Sequence, residues 1–401
     1  MATNRLLIDW PLTPYTGWGS YGIQLAQGLI ASSVARPVLT SYADRSPHCD
    51  PHWLTRLDEL ERFSRSLIEH LRANPQEVLS TNCQVVLSPI GNQVPALRVL
   101  GKNQVGVTFF ERSQLDQAYQ DGLEQYQLVI TGSCWNQKVL EDIGYRNSVL
   151  VHQGVNTSLF NPIPVPRLLQ RPFVIFAGGK LEYRKGQDIV ISAFRTFLNH
   201  CPNALLISCW GNLGNVGLDT IGRSPYVNGS PGHGNGEQLY EWLLGNGIPA
   251  HNLMMPTIMA NMQLPSLIKQ ADAAVFTSRC EGGTNLMAME TLACGIPTLL
   301  SANTGHLDLL NMNLEHAIGL GQTRVGNELE QGSAGYGGDE GDLWGETDPD
   351  LLVEHWLAMM TQKDAWVERG QRGAQKMASM SWSNSMEKLI AILQNRGMLT
   401  E

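Results

Sequence analysis

The chain is predicted to fold as an α/β protein with two domains, each a parallel sheet with helices on both faces. Three observations predict this. Short apolar runs alternate with amphipathic helical patterns along the sequence, the arrangement that covers parallel sheets on both sides. A strand, a glycine loop and a helix open the chain, and the same order restarts after Pro166. The length, 401 residues, is too great for one ordinary core.

The first strand is Leu6-Leu7-Ile8, ending at Asp9. The stretch Thr16-Gly17-Trp18-Gly19-Ser20-Tyr21-Gly22 follows, then a helix with Ile23, Leu25, Ala26, Leu29 and Ile30 at apolar positions. In a doubly wound sheet such a loop opens a ligand crevice at the carboxyl end of its strand; its glycines equally serve tight packing. Residues 52–72 place Leu54, Leu57, Leu60, Phe63, Leu67 and Leu71 at helical spacing, which reads as a core-facing helix. Strands follow at Val85 to Leu87, Val105 to Phe110 (ending in Glu111) and Leu128 to Ile130. Thr131-Gly132-Ser133 then leads a helix through Leu140, and Ser148 to Val151 is strand-like. Pro162 to Pro166, PIPVP, cannot continue a helix or a central strand. The linker is placed there, with domains at 1–165 and 166–380.

The second half opens on Phe173 to Phe176, a continuous apolar run and hence a buried parallel strand. Its loop, Gly178-Gly179-Lys180-Leu181-Glu182-Tyr183-Arg184-Lys185-Gly186, is basic, and the next helix buries Ile189, Val190, Ala193, Phe194, Phe197 and Leu198. Ala204 to Ser208 is a strand ending in Trp210-Gly211. Residues 211–237 hold eight glycines and read as a long structureless loop, a lid or binding loop. A helix at 237–244, a strand at Leu253 to Met255 and a helix at 264–270 come next. Ala271 to Phe276 is a strand, Glu281-Gly282-Gly283 a tight loop, and Thr284 to Cys294 a helix stopped by Gly295 and Pro297. Thr298 to Leu300 and Ala317-Ile318 are further strands, and residues 320–347 read as a second glycine-rich, acidic loop. Asp348-Pro349 starts a helix through Met360, and a final helix, Asn384 to Leu393, follows Trp382.

The loop between Phe276 and the next helix suits a phosphorylated ligand. Glycines allow close backbone approach, and the helix start offers N–H groups and a positive dipole end to an anion. Glu281 and Glu290 frame the loop; Glu290 is placed to accept hydrogen bonds from vicinal hydroxyls. Lys180 and Lys185 share one glycine loop and would neutralise a diphosphate. This is not a Walker loop, because no Ser or Thr follows Lys180. Asp348-Pro349-Asp350 has the form of a metal-binding D-x-D, but Asp at the cap and Pro at the first turn is a standard helix start. No metal is assigned. His306, in Thr304-Gly305-His306, either faces the crevice or caps the following helix.

Composition limits the function. The net charge of −9, with 43% hydrophobic and 16% charged residues, describes a folded chain without the basic footprint of a nucleic-acid binder. The seven cysteines are scattered without a C-x-x-C pair, as in reduced cytoplasmic proteins. No signal peptide, membrane-spanning run or tandem repeat is read.

In their order, these features resemble the retaining, GT-B-fold glycosyltransferases of family 4, over nearly the whole chain. Gly179-Lys180-Leu181 with Lys185-Gly186 is similar to the family's G-R-L-x-x-x-K-G stretch. Ala271 to Ser278 resembles its "aDvfv.pS" strand, and Glu281 to Pro297 its "EGfg…E.mAcG.P" motif. Gly154-Val155-Asn156 through Phe160-Asn161-Pro162 resembles the hinge signature, and Met380-Ser381-Trp382 the "fsW" before the last helix. The resemblance implies two Rossmann-like domains facing across a cleft, with residues 381–401 returning to the N-terminal domain.

It also implies a function: transfer of a hexose from a UDP- or GDP-sugar to an unidentified acceptor hydroxyl, with no cofactor or metal. The donor would lie on the second domain. Lys180 and Lys185 would hold the diphosphate, with Gly179 beneath; Glu290 would bind the ribose; Glu281, Gly282, Gly283, Thr284, Asn285 and Leu286 would contact the sugar. Trp210, with Thr257, Ile258 and Met259, would line the base. Gly17 and Gly19 would close over the phosphates, with Glu111 and Phe110 on the acceptor side. Lys180, Lys185 and Glu281 are the catalytic candidates. The acceptor is a glycan, a lipid-linked sugar, a small molecule or a protein; the setting is the cytoplasm, free or at the inner membrane face.

Three departures qualify the resemblance. Eight residues, not the family's seven, separate Glu281 from Glu290, so either Glu281 or Gly282 fills the first glutamate's place. Phe109-Phe110-Glu111 stands where many members have a histidine and an acid. Lys180 offers a point charge where arginine offers a planar fork. These departures leave a second reading, a catalytically weak module that senses a nucleotide sugar or glycan, and a third, a sugar-nucleotide epimerase.

Overall fold

Leu6 and Ile8 point into one apolar cluster and Leu7 into another, the two-sided burial that makes a central parallel strand. The computed structural model describes residues 4–45, 51–212, 217–232, 236–256, 258–311, 317–320, 322–326 and 343–400. The strands of the first half are β1 (Asn4–Ile8), β2 (Ala35–Leu39), β3 (Leu79–Ser80), β4 (Val85–Ile90), β5 (Val99–Leu100), β6 (Asn103–Thr108), β7 (Leu128–Thr131) and β8 (Ser148–Leu150). Six of them form one sheet in the order β2-β1-β4-β6-β7-β8, parallel throughout; β3 and β5 pair separately. The helices are α1 (Gly17–Ser32), α2 (Pro51–Ala73), α3 (Gln117–Leu123) and α4 (Cys134–Asp142).

The second half repeats this plan. Its strands are β9 (Val174–Gly179), β10 (Leu205–Trp210), β11 (Leu253–Met254), β12 (Ala273–Phe276), β13 (Thr298–Ser301) and β14 (Ala317–Leu320), ordered β11-β10-β9-β12-β13-β14. Its helices are α5 (Gln187–Phe197), α6 (Gly236–Gly245), α7 (Leu264–Ile268), α8 (Leu286–Ala293), α9 (His306–Asn311), α10 (Pro349–Thr361) and α11 (Lys363–Met377). Along β9, Ile175 and Ala177 face the cluster holding α5 and α10, while Val174 and Phe176 face the one holding α8. The strand order reverses at β9 and β12, so the loops leaving their carboxyl ends flank a crevice.

The chain crosses between the halves twice, side by side: Val155 N–H donates to Met380 O at 2.8 Å. A Cβ on Gly154 would lie 2.4 Å from Trp382 N, so only glycine admits this approach. The last helix, α12 (Trp382–Asn395), belongs to the first core. Trp382 stacks on Tyr21 at 5.4 Å, and Met386 occupies the notch left by Gly28.

Three expectations are corrected. Residues 320–347 are not simply a loop: β15 (Gln322–Gly326) pairs antiparallel with β16 (Leu343–Thr347), and residues 327–342 lie outside the described ones. The glycine-rich stretch 211–237 contains a 3-10 helix at Leu218–Arg223; its residues 213–216 and 233–235 lie outside the described ones. The strand ending in Glu111 stops at Thr108. The elements β2, β3, β5, α3 and α11 are additional to those read from the sequence. Asp348 caps α10 by accepting from Asp350 N–H at 3.0 Å, which is its helix-start role.

Candidate active site

A cleft of about 580 Å³ lies between the two sheets, a size suited to a ligand of drug-like to nucleotide dimensions. Its second-domain wall is built by the loops after β9 and β12. Gly186, at φ +71°, packs so tightly that a Cβ would sit 2.0 Å from Thr277 O. That contact locks the two loops together and brings their charged side chains to one place.

Three cations meet three carboxylates there. Lys180 Nζ lies 2.8 Å from Glu182 Oε2. Lys185 Nζ bonds both oxygens of Glu281, at 2.6 and 2.8 Å. Arg184 donates to Cys280 O at 2.7 Å and pairs with Glu281 at 3.4 Å, with Glu111 at 3.3 Å and with Glu182. Burial raises the Glu281 carboxyl, but Lys185 and Arg184 outweigh it and hold it at about 2. Glu182 is likewise lowered: burial opposes ionisation, and Arg184 with Lys180 overcomes it. Glu281 is therefore a fixed anion. Ser278 donates to Oε1 at 2.5 Å and Asn285 at 3.0 Å, so few of its lone pairs remain for a ligand.

Behind Glu281 stands His306, fully buried. Burial drives its ring down to about 4, against the pull of Glu281. It is neutral at physiological pH, and its Nδ1 lies 3.1 Å from Ser301 O, a partner that must receive a proton. Nε2 then accepts from Asn285 Nδ2 at 3.1 Å. His306 thus neither faces the crevice nor serves as a cap; it fixes Asn285. Asn285 sits at φ +65°, a left-handed conformation that asparagine tolerates better than most residues. Its side chain also caps α8 at Ala288 N–H, 3.3 Å away.

Glu290 is one turn further into α8 and buried. Burial pushes its carboxyl up to about 8, with one opposing hydrogen bond from Asn261 Nδ2 at 2.6 Å. Asn261 N–H donates to Pro14 O at 2.9 Å, so Glu290 also sits close to the first domain. At the far end, Trp210, Gly211, Asn212, Pro256, Ile258 and Met259 line the cleft. Thr257 lies outside the described residues.

The facing wall comes from the first domain: Tyr15, Gly17, Trp18, Phe109, Glu111 and Gln153. Thr16 caps α1 through Gly19 N–H at 3.0 Å, aiming the helix start at the cleft. The walls touch at Gly282, where a Cβ would lie 2.2 Å from Phe109 O, and Ser133 Oγ donates to Gly282 O at 2.7 Å.

Gly17, Gly179, Lys180, Lys185, Trp210, Ile258, Met259, Glu281, Gly282, Gly283, Asn285, Leu286, Glu290 and Glu111 line the cleft. Three residues do not. Phe110 is fully buried, 5.8 Å from the rings of both Tyr119 and Trp135; Phe109 faces the cleft instead. Thr284 is fully buried, with its hydroxyl on Met289 Sδ at 2.9 Å. Gly19 packs on Thr13, where a Cβ would lie 2.2 Å from a carbonyl oxygen. The sequence reading missed Arg184, Asn261, Phe109 and Gln153. Only Arg184 carried a signal, its place beside Lys185 in the basic loop; a 3-10 turn, Tyr183–Lys185, swings it inward.

Residues 164–318 match the family model described as glycosyl transferases group 1. Residues 255–389 match the model described as family 4 glycosyltransferase in conflict systems. No curated protein matches the sequence. Among solved structures, the chain is similar to sucrose-phosphate synthase from Thermosynechococcus elongatus, with TM-score 0.64 and 13% identity over 98% of this chain and 99% of that one. It is similar to a glycosyltransferase from Rickettsia africae, with TM-score 0.62 and 11% identity over 98% and 99%. It is also similar to Anabaena HepE in complex with UDP and glucose, with TM-score 0.61 and 13% identity over 98% and 100%. The chain has the GT-B fold, and the domain match together with that fold supports a glycosyltransferase.

Proposed function

We propose that this chain is a retaining glycosyltransferase of family 4 that moves a hexose from a UDP- or GDP-sugar to an acceptor hydroxyl. The observation that carries this reading is the convergence of Lys180, Arg184 and Lys185 beside the start of α8, at the reversal of strand order. Complexes of Anabaena HepE with UDP and with UDP-glucose favour a uridine donor.

In this reading the diphosphate lies against Lys180 and Lys185 and the backbone N–H groups at the start of α8. Glu290 accepts from the ribose hydroxyls. Glu281, with its oxygens already engaged, acts chiefly by holding Lys185. The cations stabilise the charge that develops on the leaving diphosphate, so the family's metal-free pattern fits the site. The departing phosphate oxygen removes the acceptor proton, and the two walls fix the reacting atoms. Glu111 and Phe109 border the acceptor side; Phe109, edge-on to Trp18 at 4.9 Å, belongs to the stretch that stands where many members have a histidine and an acid.

The test is slow hydrolysis of UDP-glucose by purified protein, compared with Glu290→Ala and Lys185→Ala. Release of UDP by the wild type and its loss in both folded variants supports the reading. One observation favours the second reading, a nucleotide-sugar sensor: Lys180 and Lys185 are already paired with Glu182 and Glu281. A sensor would bind donor and release no UDP.

A further inference from the structure

Away from the donor crevice, three metal-ligating side chains converge from three separate elements. Cys134 is the first residue of α4, His152 follows β8 in the first crossing stretch, and Asp308 lies in the first turn of α9. The Cys134 sulfur, a His152 ring nitrogen and an Asp308 carboxylate oxygen all lie within 4.8 Å of one another. His152 Nε2 is 2.6 Å from Asp308 Oδ2. The same oxygen accepts the Cys134 backbone N–H at 2.8 Å. Two of the residues belong to the first half and one to the second.

We propose that Cys134, His152 and Asp308 form an inter-domain binding site for a divalent cation of zinc's chemistry. A sulfur, an imidazole nitrogen and a carboxylate oxygen make a mixed donor set that suits zinc and disfavours magnesium or calcium. Tetrahedral zinc binds such donors at about 2.0–2.3 Å, which places ligand atoms roughly 3.3–3.8 Å apart. His152 and Asp308 are 2.6 Å apart and all three ligand atoms lie within 4.8 Å of one another, so small side-chain shifts reach that spacing. Cys134 is exposed and His152 partly so, while Asp308 is buried. The thiol and imidazole can therefore adjust around a fixed carboxylate, and the fourth position opens to solvent for water.

The site sits where it would act on the cleft. Ser133, beside Cys134, holds Gly282 of the donor wall at 2.7 Å. Gln153, beside His152, lines the cleft itself. A cation shared by α4, the crossing stretch and α9 holds the two halves in the closed arrangement.

The experiment is titration of chelator-treated full-length protein with Co2+, followed by Zn2+, read by absorption and by small-angle scattering. The expected result is one Co2+ per chain with a thiolate-to-cobalt charge-transfer band, abolished by Zn2+. Cys134→Ser removes the band, and His152→Ala and Asp308→Asn weaken binding at least tenfold. Zn2+ lowers the radius of gyration of the wild type and not of Cys134→Ser, whose circular dichroism without metal matches the wild type. Absence of stoichiometric binding, or a band that survives Cys134→Ser, overturns the proposal.

Discussion

Arg184 of the second domain reaches Glu111 of the first, with Nη2 3.3 Å from Oε1. The same guanidinium meets Glu281, which holds Lys185. Closure of the cleft and placement of the cations are therefore one network. Trp344 on β16 adds to it by donating to Glu111 O at 3.3 Å. Burial raises the Glu111 carboxyl and Arg184 opposes the rise, so opening the cleft separates a half-buried pair. Breaking a fully buried pair costs about 3–5 kcal/mol; Arg184 keeps two other carboxylates, which reduces this. Glu111→Ala is expected to lower kcat/KM about tenfold, roughly 1.4 kcal/mol. The radius of gyration in solution scattering should rise with it. Unchanged kinetics and scattering would show that the pair does not govern closure.

Lys185→Ala takes from the buried Glu281 the cation that bonds both of its oxygens and leaves it Arg184 at 3.4 Å. Leaving a buried charge unpaired costs about 3–5 kcal/mol; Arg184 reduces this, and the expected loss of stability is about 1–2 kcal/mol, measured by urea denaturation. The double variant Lys185→Met with Glu281→Gln should recover most of that stability and none of the donor hydrolysis. Recovery of both would remove Lys185 from the phosphate site. The pH dependence has a defined sign. Glu281 is lowered from 4.5 to about 2, so its contribution is present above pH 4.5 and lost as pH falls toward 2.

Glu290 has the opposite sign. Its carboxyl is raised from 4.5 to about 8, so the native state keeps a proton that the unfolded chain has released. Stability then falls as pH rises from 4.5 to 8. Glu290→Gln, which keeps the shape and stays neutral, is expected to raise Tm at pH 8 by several degrees and barely at pH 5. Donor hydrolysis should fall at both. An equal Tm change at the two pH values would mean that Glu290 is ionised in the folded protein across the range.

Two glycines of the cleft separate packing from ligand contact. A Cβ on Gly282 would lie 2.2 Å from Phe109 O, a backbone atom that cannot yield cheaply. Gly282→Ala is expected to cost about 1–3 kcal/mol through overpacking and to loosen the meeting of the walls. A Cβ on Gly17 meets only Leu286 Cδ1 at 3.8 Å. Gly17→Ala should change stability by less than about 0.5 kcal/mol, so any rise in donor KM reports a ligand contact at that position. Thermal denaturation and steady-state kinetics check the pair.

Much of the plan was legible because buried parallel strands write themselves as continuous apolar runs, as at Phe173 to Phe176 and Ala273 to Phe276. Lys180, Lys185 and Glu290 were readable because they stand on loops and a helix whose spacing is local. The misplacements occur where local period stops deciding direction. Strand β6 ends at Thr108, and past that point alternation no longer tells Phe109 from Phe110. Thr284 points inward onto Met289 although its neighbours face the cleft, at a turn where Asn285 takes φ +65° and no regular period holds. Strands β15 and β16 lie in glycine-rich, acidic sequence without alternation, so their pairing left no pattern. Asp308 stands 174 residues from Cys134 and 156 from His152, and only the folded chain brings them together.

The central claim is that the cleft holds a nucleotide sugar through Lys185 and Glu290. Isothermal titration of UDP-glucose and GDP-glucose into the wild type, Lys185→Ala and Glu290→Gln tests it most directly. The predicted result is saturable binding of one of the two donors by the wild type, weakened at least tenfold in each variant while circular dichroism is unchanged. Equal affinity in all three proteins, or no binding of either donor by the folded wild type, would contradict it.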